Sequence, residues 1–277
     1  MKDIQSKSLL TLIIIFFIIG FSTSAKDIFG SGTGLFNDIV TDSLSPRMAV
    51  GSSLIQNPDY VVYPASLEEH RDESKSYVKQ YSTRERSYII HMFDKGKKYF
   101  PKAIQIFDKY DLPVELQVLP ALESNFNSDA ISDAGAVGYW QFMSELAGEY
   151  GLSVNGKTDE RKNFYKSTVA ASKFFKDQLK FFKEDLLLTV AAFNCGQGRV
   201  RLAMKKTNKA NPDFWDVKQY LPNETRIFVM KFISMNVIAA NYDKFIARKL
   251  NFNEPHLVQL ASLDSAKNDI SISRNSL

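Results

Sequence analysis

One carboxylate in this chain stands where a proton can be held near neutral pH. On a helical wheel drawn from Leu112 to Glu123, the residues Leu112, Leu116, Leu119 and Glu123 fall at i, i+4, i+7 and i+11, a single narrow face. Pro120 bends such a helix and widens that face by roughly a few tens of degrees. Glu123 shares the stripe with leucines and comes just before Ser124-Asn125, where the apolar run stops. Apolar neighbours and the negative end of the helix dipole both disfavour an ionised carboxylate, so its pKa is expected to be raised. A carboxylic acid protonated near neutrality is what general acid catalysis needs. Taken alone, the pattern better describes a glutamate that turns to solvent at a helix end, since structural charges are common and perturbed acids rare.

Other chemistries find no address. His70, His91 and His256 are scattered without metal-ligand spacing, and Cys195, the single cysteine, can form no intramolecular disulfide. Cys195 ends an apolar stretch and reads as a small buried hydrophobe, with no histidine placed beside it. The chain has no phosphate loop, no nucleophile elbow and no paired Cys-x-x-Cys arms. No metal and no cofactor are therefore expected. Asp129 and Asp133 lie in a polar loop without a motif around them.

The elements that must position Glu123 read as helices throughout. Tyr77, Tyr81, Tyr88, Ile89 and Phe93 recur near helical spacing, and Pro101 opens a short helix carrying Ala103, Ile104 and Phe107. After Glu123 a Gly- and Ala-rich loop runs to Gly138, and a helix is expected from about Trp140 to Glu149, closed by Gly151. A long amphipathic helix is expected over roughly Asp159 to Phe182. Another spans Leu186 to Asn194 and is broken by Gly196 and Gly198, ahead of a basic helical turn to Lys206. Pro222-Asn223 is expected to cap a last long helix reaching about Asn241. No stretch alternates like a strand, so the class is all-α.

Four motifs follow one another at suitable gaps: Glu123-Ser124, then Gly138-Tyr139-Trp140-Gln141, then Ala192-Phe193-Asn194, then Glu224-Thr225-Arg226. Over about residues 75 to 245 the chain resembles the lytic transglycosylases of the soluble type, within the lysozyme-like superfamily. Among these it looks like the membrane-bound lytic murein transglycosylase D group. The resemblance implies a lysozyme-like helical domain with a groove for peptidoglycan glycan strands.

It also assigns roles by position. Glu123 matches the catalytic acid/base, and Ser124 the partner that supports the helix end. Ser132 lies where the family places a hydroxyl near the substrate N-acetyl group. Gln141 closes the Gly-x-x-Gln motif, and Met143 lines the groove. Phe193 and Asn194 match the Ala-Tyr-Asn motif, and Glu224 opens the last conserved helix. Tyr139 and Trp140 suit a pyranose, whose flat C–H faces and hydroxyl edges favour amphipathic aromatics beside an amide. Leu187, Val190, Ala191 and Asn194 share a face, which points the Asn194 amide inward.

Two positions depart from the family. Phe193 and Phe228 stand where tyrosines are common, keeping the ring and losing the hydroxyl. The implied reaction cleaves the β-1,4 bond between N-acetylmuramic acid and N-acetylglucosamine and leaves a 1,6-anhydromuramic acid end, in cell-wall remodelling or turnover. A hydrolytic lysozyme, or a weakened peptidoglycan-binding protein that keeps the groove as a docking surface, stays open at this point.

Composition agrees with an exported helical enzyme. A hydrophobic content of 44%, with 13% aromatic, is enough for a real core. A net charge of +4, with Lys and Arg interspersed among Asp and Glu, gives no reason to expect nucleic acid as a partner. Lys2 and Lys7, the apolar run Leu9 to Phe21 and the small residues Thr23-Ser24-Ala25 make a signal peptide over 1–25, cleaved after Ala25. The run is short for a span of roughly 17–25 residues, and no Cys directly follows it, so a periplasmic or extracellular protein is expected. Residues 26–67 read as a flexible tether and 68–111 as an N-terminal helical segment. The transglycosylase domain then covers 112–247, with a polar tail at 248–277. The protein is expected to act as a monomer.

Overall fold

Asp72 and Glu73 in the first turn and Arg84 in the last suit the dipole of α1 (Arg71–Arg84), the first long helix of a computed structural model that describes residues 60–253. Only Glu85 separates it from α2 (Arg86–Gly96), and α3 (Phe100–Asp108) follows with Pro101 in its first turn. A 3-10 turn over Val114–Val118 then leads directly into α4 (Leu119–Ser124). The continuous helix expected from Leu112 to Glu123 is thus two pieces. Pro120, instead of bending one helix, sits in the first turn of the second, where its missing N–H costs nothing. Leu112, Leu116 and Leu119 are nonetheless all buried, as their spacing predicts.

The next helix starts later than the sequence suggests. It is α5 (Ser144–Glu149), and Trp140 and Gln141 belong to the turn before it. Asp159 caps a separate 3-10 turn over Glu160–Lys162. The long helix α6 (Phe164–Phe181) begins only after Asn163, whose side chain accepts from Lys166 N at 3.0 Å. Such a cap stabilises a helix by about 1 kcal/mol. Asp185 does the same for α7 (Leu186–Cys195), accepting from Leu188 N at 2.8 Å. Every residue from Leu186 to Ala192 is buried, and a helix apolar on all sides belongs in the middle of a core.

Gly196, at φ 88°, ends α7, whereas Gly198 lies inside α8 (Gln197–Lys206) and breaks nothing. A short α9 (Phe214–Val217) precedes α10 (Asn223–Ala240) and α11 (Tyr242–Ile246). Asn223 does not cap α10. It is that helix's first residue, and its Oδ1 accepts from the Arg226 guanidinium at 3.3 Å. Pro222 holds the cap position. Helix α10 packs on α1, α4 and α7, so the helices of 68–111 and of 112–247 share one hydrophobic core. Among the described residues there is no strand beyond isolated bridges, and the class is all-α.

The tether expected over 26–67 is corrected at its end. Val61, Tyr63 and Leu67 are buried, and Ala65–Leu67 forms a 3-10 turn. The Asn241 carboxamide binds both backbone groups of Val62, accepting from its N–H at 2.9 Å and donating to its carbonyl at 2.6 Å. Val61 N–H donates to Asn251 O at 3.0 Å, so residues at both ends of the described chain are tied together. The signal peptide, most of the tether, His256 and most of the polar tail lie outside the described residues.

Candidate active site

Helix α4 ends abruptly just past Glu123. Asn125 and Phe126 both adopt left-handed backbone, at φ 50° and 54°, and their N–H groups bond back to Ala121 O and Pro120 O. Asparagine tolerates that region, but for phenylalanine it costs about 1–2 kcal/mol. Ring packing offsets the strain: Phe126 stacks on Tyr99 at 4.8 Å between centroids, with only 7° between the planes, and meets Phe100 edge-on.

Glu123 is half-buried, and its carboxyl group makes no hydrogen bond or ion pair with any described residue. Burial alone pushes its pKa up to about 8. The end of α4 acts in the same direction, because the last carbonyls of a helix repel a negative charge. The expected raised acid is therefore present, held by desolvation and not by a carboxylate neighbour.

Ser124, next in the chain, faces the adjoining loop. Its Oγ lies 3.1 Å from Pro120 O and 3.0 Å from Tyr139 O, and its one proton is shared between them. The loop thus anchored is built by its own polar groups. Ser132 closes a turn, with Oγ accepting from Ala136 N–H at 3.0 Å. Gln141, at φ 49°, spends its Nε2 on Gly138 O (2.9 Å) and Ala130 O (3.2 Å). These bonds explain why no helix starts at Trp140: the Gln141 backbone and side chain are both committed to the turn.

Tyr139 and Trp140 part company. Tyr139 stays at the surface edge, with its ring against Tyr99 and Phe164 and its hydroxyl 3.4 Å from that of Tyr99. Trp140 is completely buried, and its Nε1 donates to Thr168 Oγ1 at 3.0 Å. The expectation that Trp140 faces a sugar is therefore corrected: it is a core ring. Phe193 leans into the same layer, with centroids 5.0 Å from Phe175, 5.5 Å from Phe174, and 6.2 Å from both Trp140 and Phe142. Its ring packs first, and only part of the residue reaches solvent. Met143, 38% exposed, leads into α5 and is free to touch a ligand.

Asn194 sits at the end of α7, and its Oδ1 accepts from Thr225 Oγ1 at 2.8 Å, which ties α7 to the first turn of α10. Glu224, one residue earlier, is exposed and makes no ion pair among the described residues. Phe228 is buried. Cys195 is half-buried, its thiol is pushed up by burial, and its Sγ lies 3.9 Å from Gly196 O.

Sequence reasoning overlooked the residue that clamps this loop. Arg161 is buried, held fork-to-fork by Asp159 at 2.9 and 2.7 Å, and donates to Phe142 O (3.0 Å) and Gly135 O (3.4 Å). The only hint in the sequence is Asp159 two places before Arg161, a spacing too common to stand out. Tyr99 was overlooked too, and Thr225 was read only as part of the fourth motif, because their partners lie 40 and 31 residues away in the chain. A surface recess lined by Lys109, Tyr110, Tyr150, Tyr165 and Lys173 includes neither Glu123 nor any other residue expected in the site.

Residues 103–215 match the family described as Transglycosylase SLT domain. Among individual relatives, the chain is 35% identical over 198 residues to the membrane-bound lytic murein transglycosylase D of Escherichia coli (strain K12), a match covering 70% of this chain and 42% of the relative. The chain thus spans less than half the length of that relative. Among solved structures, it is similar to an inactive mutant of the lytic transglycosylase Slt from Pseudomonas aeruginosa, with TM-score 0.45, 18% identity, and 76% of this chain and 41% of the other covered. It is also similar to the 70 kDa soluble lytic transglycosylase of Escherichia coli, with TM-score 0.44, 19% identity and coverage of 64% and 32%.

Proposed function

We propose that this chain is a peptidoglycan lytic transglycosylase that uses Glu123 as both acid and base. The observation carrying the proposal is a lone carboxyl, desolvated, without a protein partner and with its pKa near 8, inside a transglycosylase SLT domain. At neutral pH such a group is mostly protonated and can donate to the glycosidic oxygen of the leaving N-acetylglucosamine. The N-acetyl carbonyl of the muramic acid stabilises the cationic sugar carbon as the bond breaks. Glu123, now ionised and poorly solvated, is a stronger base than an ordinary carboxylate. It takes the proton of the same sugar's 6-hydroxyl, whose oxygen closes onto that carbon. The 1,6-anhydro end forms, Glu123 is again protonated, and no water is consumed.

A hydrolytic route generally needs a second carboxylate. Of the two candidates, Asp129 is exposed and bound by Lys162 at 2.8 Å, which holds its carboxyl below the usual range, and Asp133 is exposed as well. Neither property suits a base beside a buried acid. Substrate contacts are assigned to Ser132, Tyr139, Gln141, Met143, Asn194 and Glu224, with Phe193 supporting from the aromatic layer and Ser124 holding the helix end. Export through a signal peptide cleaved after Ala25, to the periplasm or beyond the cell, completes the proposal. Digestion of purified sacculi tests it. Mass spectrometry before and after borohydride reduction should find muropeptides that gain no hydrogen, and predominantly reducible ends would leave a hydrolase instead.

A further inference from the structure

The outward face of α8 carries a pattern that the proposed chemistry leaves unused. Val200 and Ala203 are buried and Met204 is half-buried, so this side of the helix faces the core. At 100° per residue the opposite side is centred on Leu202, with Lys205 and Lys206 on either flank and Arg201 and Arg199 on the shoulders. All five are exposed, Leu202 to 60%. The helix contains no acidic residue, and among the described residues none of its four cations forms an ion pair. Lys209, just beyond, is by contrast engaged by Asp216.

Helix stability does not explain the arrangement. Lys205 and Lys206 lie in the last turn, where the dipole favours them, but Arg199 lies in the first turn, where it is opposed. A purely polar polymer would account for the cations and not for the leucine at their centre. A bilayer surface accounts for both: anionic headgroups meet the cations, long Lys and Arg stems reach upward, and the apolar residue between them dips toward the acyl chains.

We infer that the outward face of α8 docks on an anionic lipid surface, with Leu202 inserted and Arg199, Arg201, Lys205 and Lys206 held at headgroup level. Nothing in this depends on the reaction at Glu123. The full chain is sedimented with vesicles of phosphatidylcholine alone and with vesicles containing roughly one third phosphatidylglycerol. Parent and charge-reversed variant share the same N-terminal run, so a difference between them reports on the face of α8.

Binding to the anionic vesicles is expected to be about tenfold tighter or more, and the preference should fade at about 0.5 M salt. The triple variant Arg201→Glu/Lys205→Glu/Lys206→Glu should lose the preference while keeping its helical circular dichroism. Independently, the emission gained in Leu202→Trp should be quenched by lipids brominated in their acyl chains. Equal affinity for the two vesicles overturns the inference, as does a preference that survives the triple reversal. Unquenched emission at position 202 overturns it too, and a triple variant that instead loses binding to insoluble peptidoglycan assigns the face to that polymer.

Discussion

Ser124 Oγ lies 3.0 Å from the carbonyl oxygen of Tyr139, so the end of the helix that carries Glu123 and the loop that carries Gln141 are fastened by one hydroxyl. The same oxygen reaches Pro120 O, one turn back in α4. A single side chain thus closes the helix and aligns it with its neighbour. Glu123 itself has no such restraint, and its direction depends on what Ser124 holds still.

Ser124→Ala should therefore act on position and not on chemistry. Removing the hydroxyl should lower stability by about 1 kcal/mol. Turnover should fall about tenfold, with KM nearly unchanged, because the acid loses alignment while the sugar contacts remain. Ser124→Thr, which keeps the hydroxyl, should recover most of the loss. Equal damage from the two variants would show that the hydroxyl is not what matters.

Glu123→Gln should abolish cleavage and, at neutral pH, make the protein more stable. In the folded state Glu123 keeps its proton up to about 8, well above the ordinary glutamate range. Between those two values the native state binds the extra proton, so stability falls as pH rises through the window. An amide removes that liability. The variant should gain about 1–3 kcal/mol at pH 8, or about 2–8 °C in Tm, and nothing near pH 4. A constant difference between variant and parent from pH 4 to pH 8 would contradict the desolvated acid.

The pH profile of the reaction carries the same signature. If protonated Glu123 starts the reaction, kcat/KM should hold level toward neutrality and fall as pH rises through about 8. An ordinary exposed glutamate would put that basic limb near pH 4 to 5. Steady-state rates on solubilised glycan strands between pH 5 and 10 decide between the two.

Much of this site could be read from local spacing, and the rest depends on distant partners. Leu112, Leu116 and Leu119 are buried as their period predicts, although Leu112 precedes the 3-10 turn; Leu116 and Leu119, three residues apart, keep one side in either helix type. The run from Leu186 to Ala192 is similarly self-explanatory. The turn at Trp140-Gln141 is not, because its conformation is set by a side-chain amide bonded to Ala130 and by Arg161 reaching back to Phe142. Residues 60–67 read as a tether because they are short and follow a Gly- and Ser-rich stretch. The Asn241 amide that holds Val62 is 179 residues away, beyond any local pattern.

Gly138 and Gly135 offer a final, paired test of how the loop is built. Both have positive φ, 82° and 87°, so an alanine at either position is strained by its backbone alone. That shared strain is about 1 kcal/mol. Their surroundings differ. A Cβ at Gly138 would lie 2.2 Å from Arg161 O, a backbone atom that cannot swing aside, whereas nothing lies within 4 Å of one at Gly135. Relieving the overlap at Gly138 means moving Arg161, whose guanidinium holds Phe142 O, and with it the turn that carries Tyr139 and Gln141. Gly138→Ala should therefore lose about 2–4 kcal/mol and most of its activity. Gly135→Ala should lose about 1 kcal/mol and keep most of its turnover. Thermal melts and rates measured side by side separate the two contributions. Similar losses in both variants would mean that backbone strain alone requires these glycines and that the close approach to Arg161 does not control the loop.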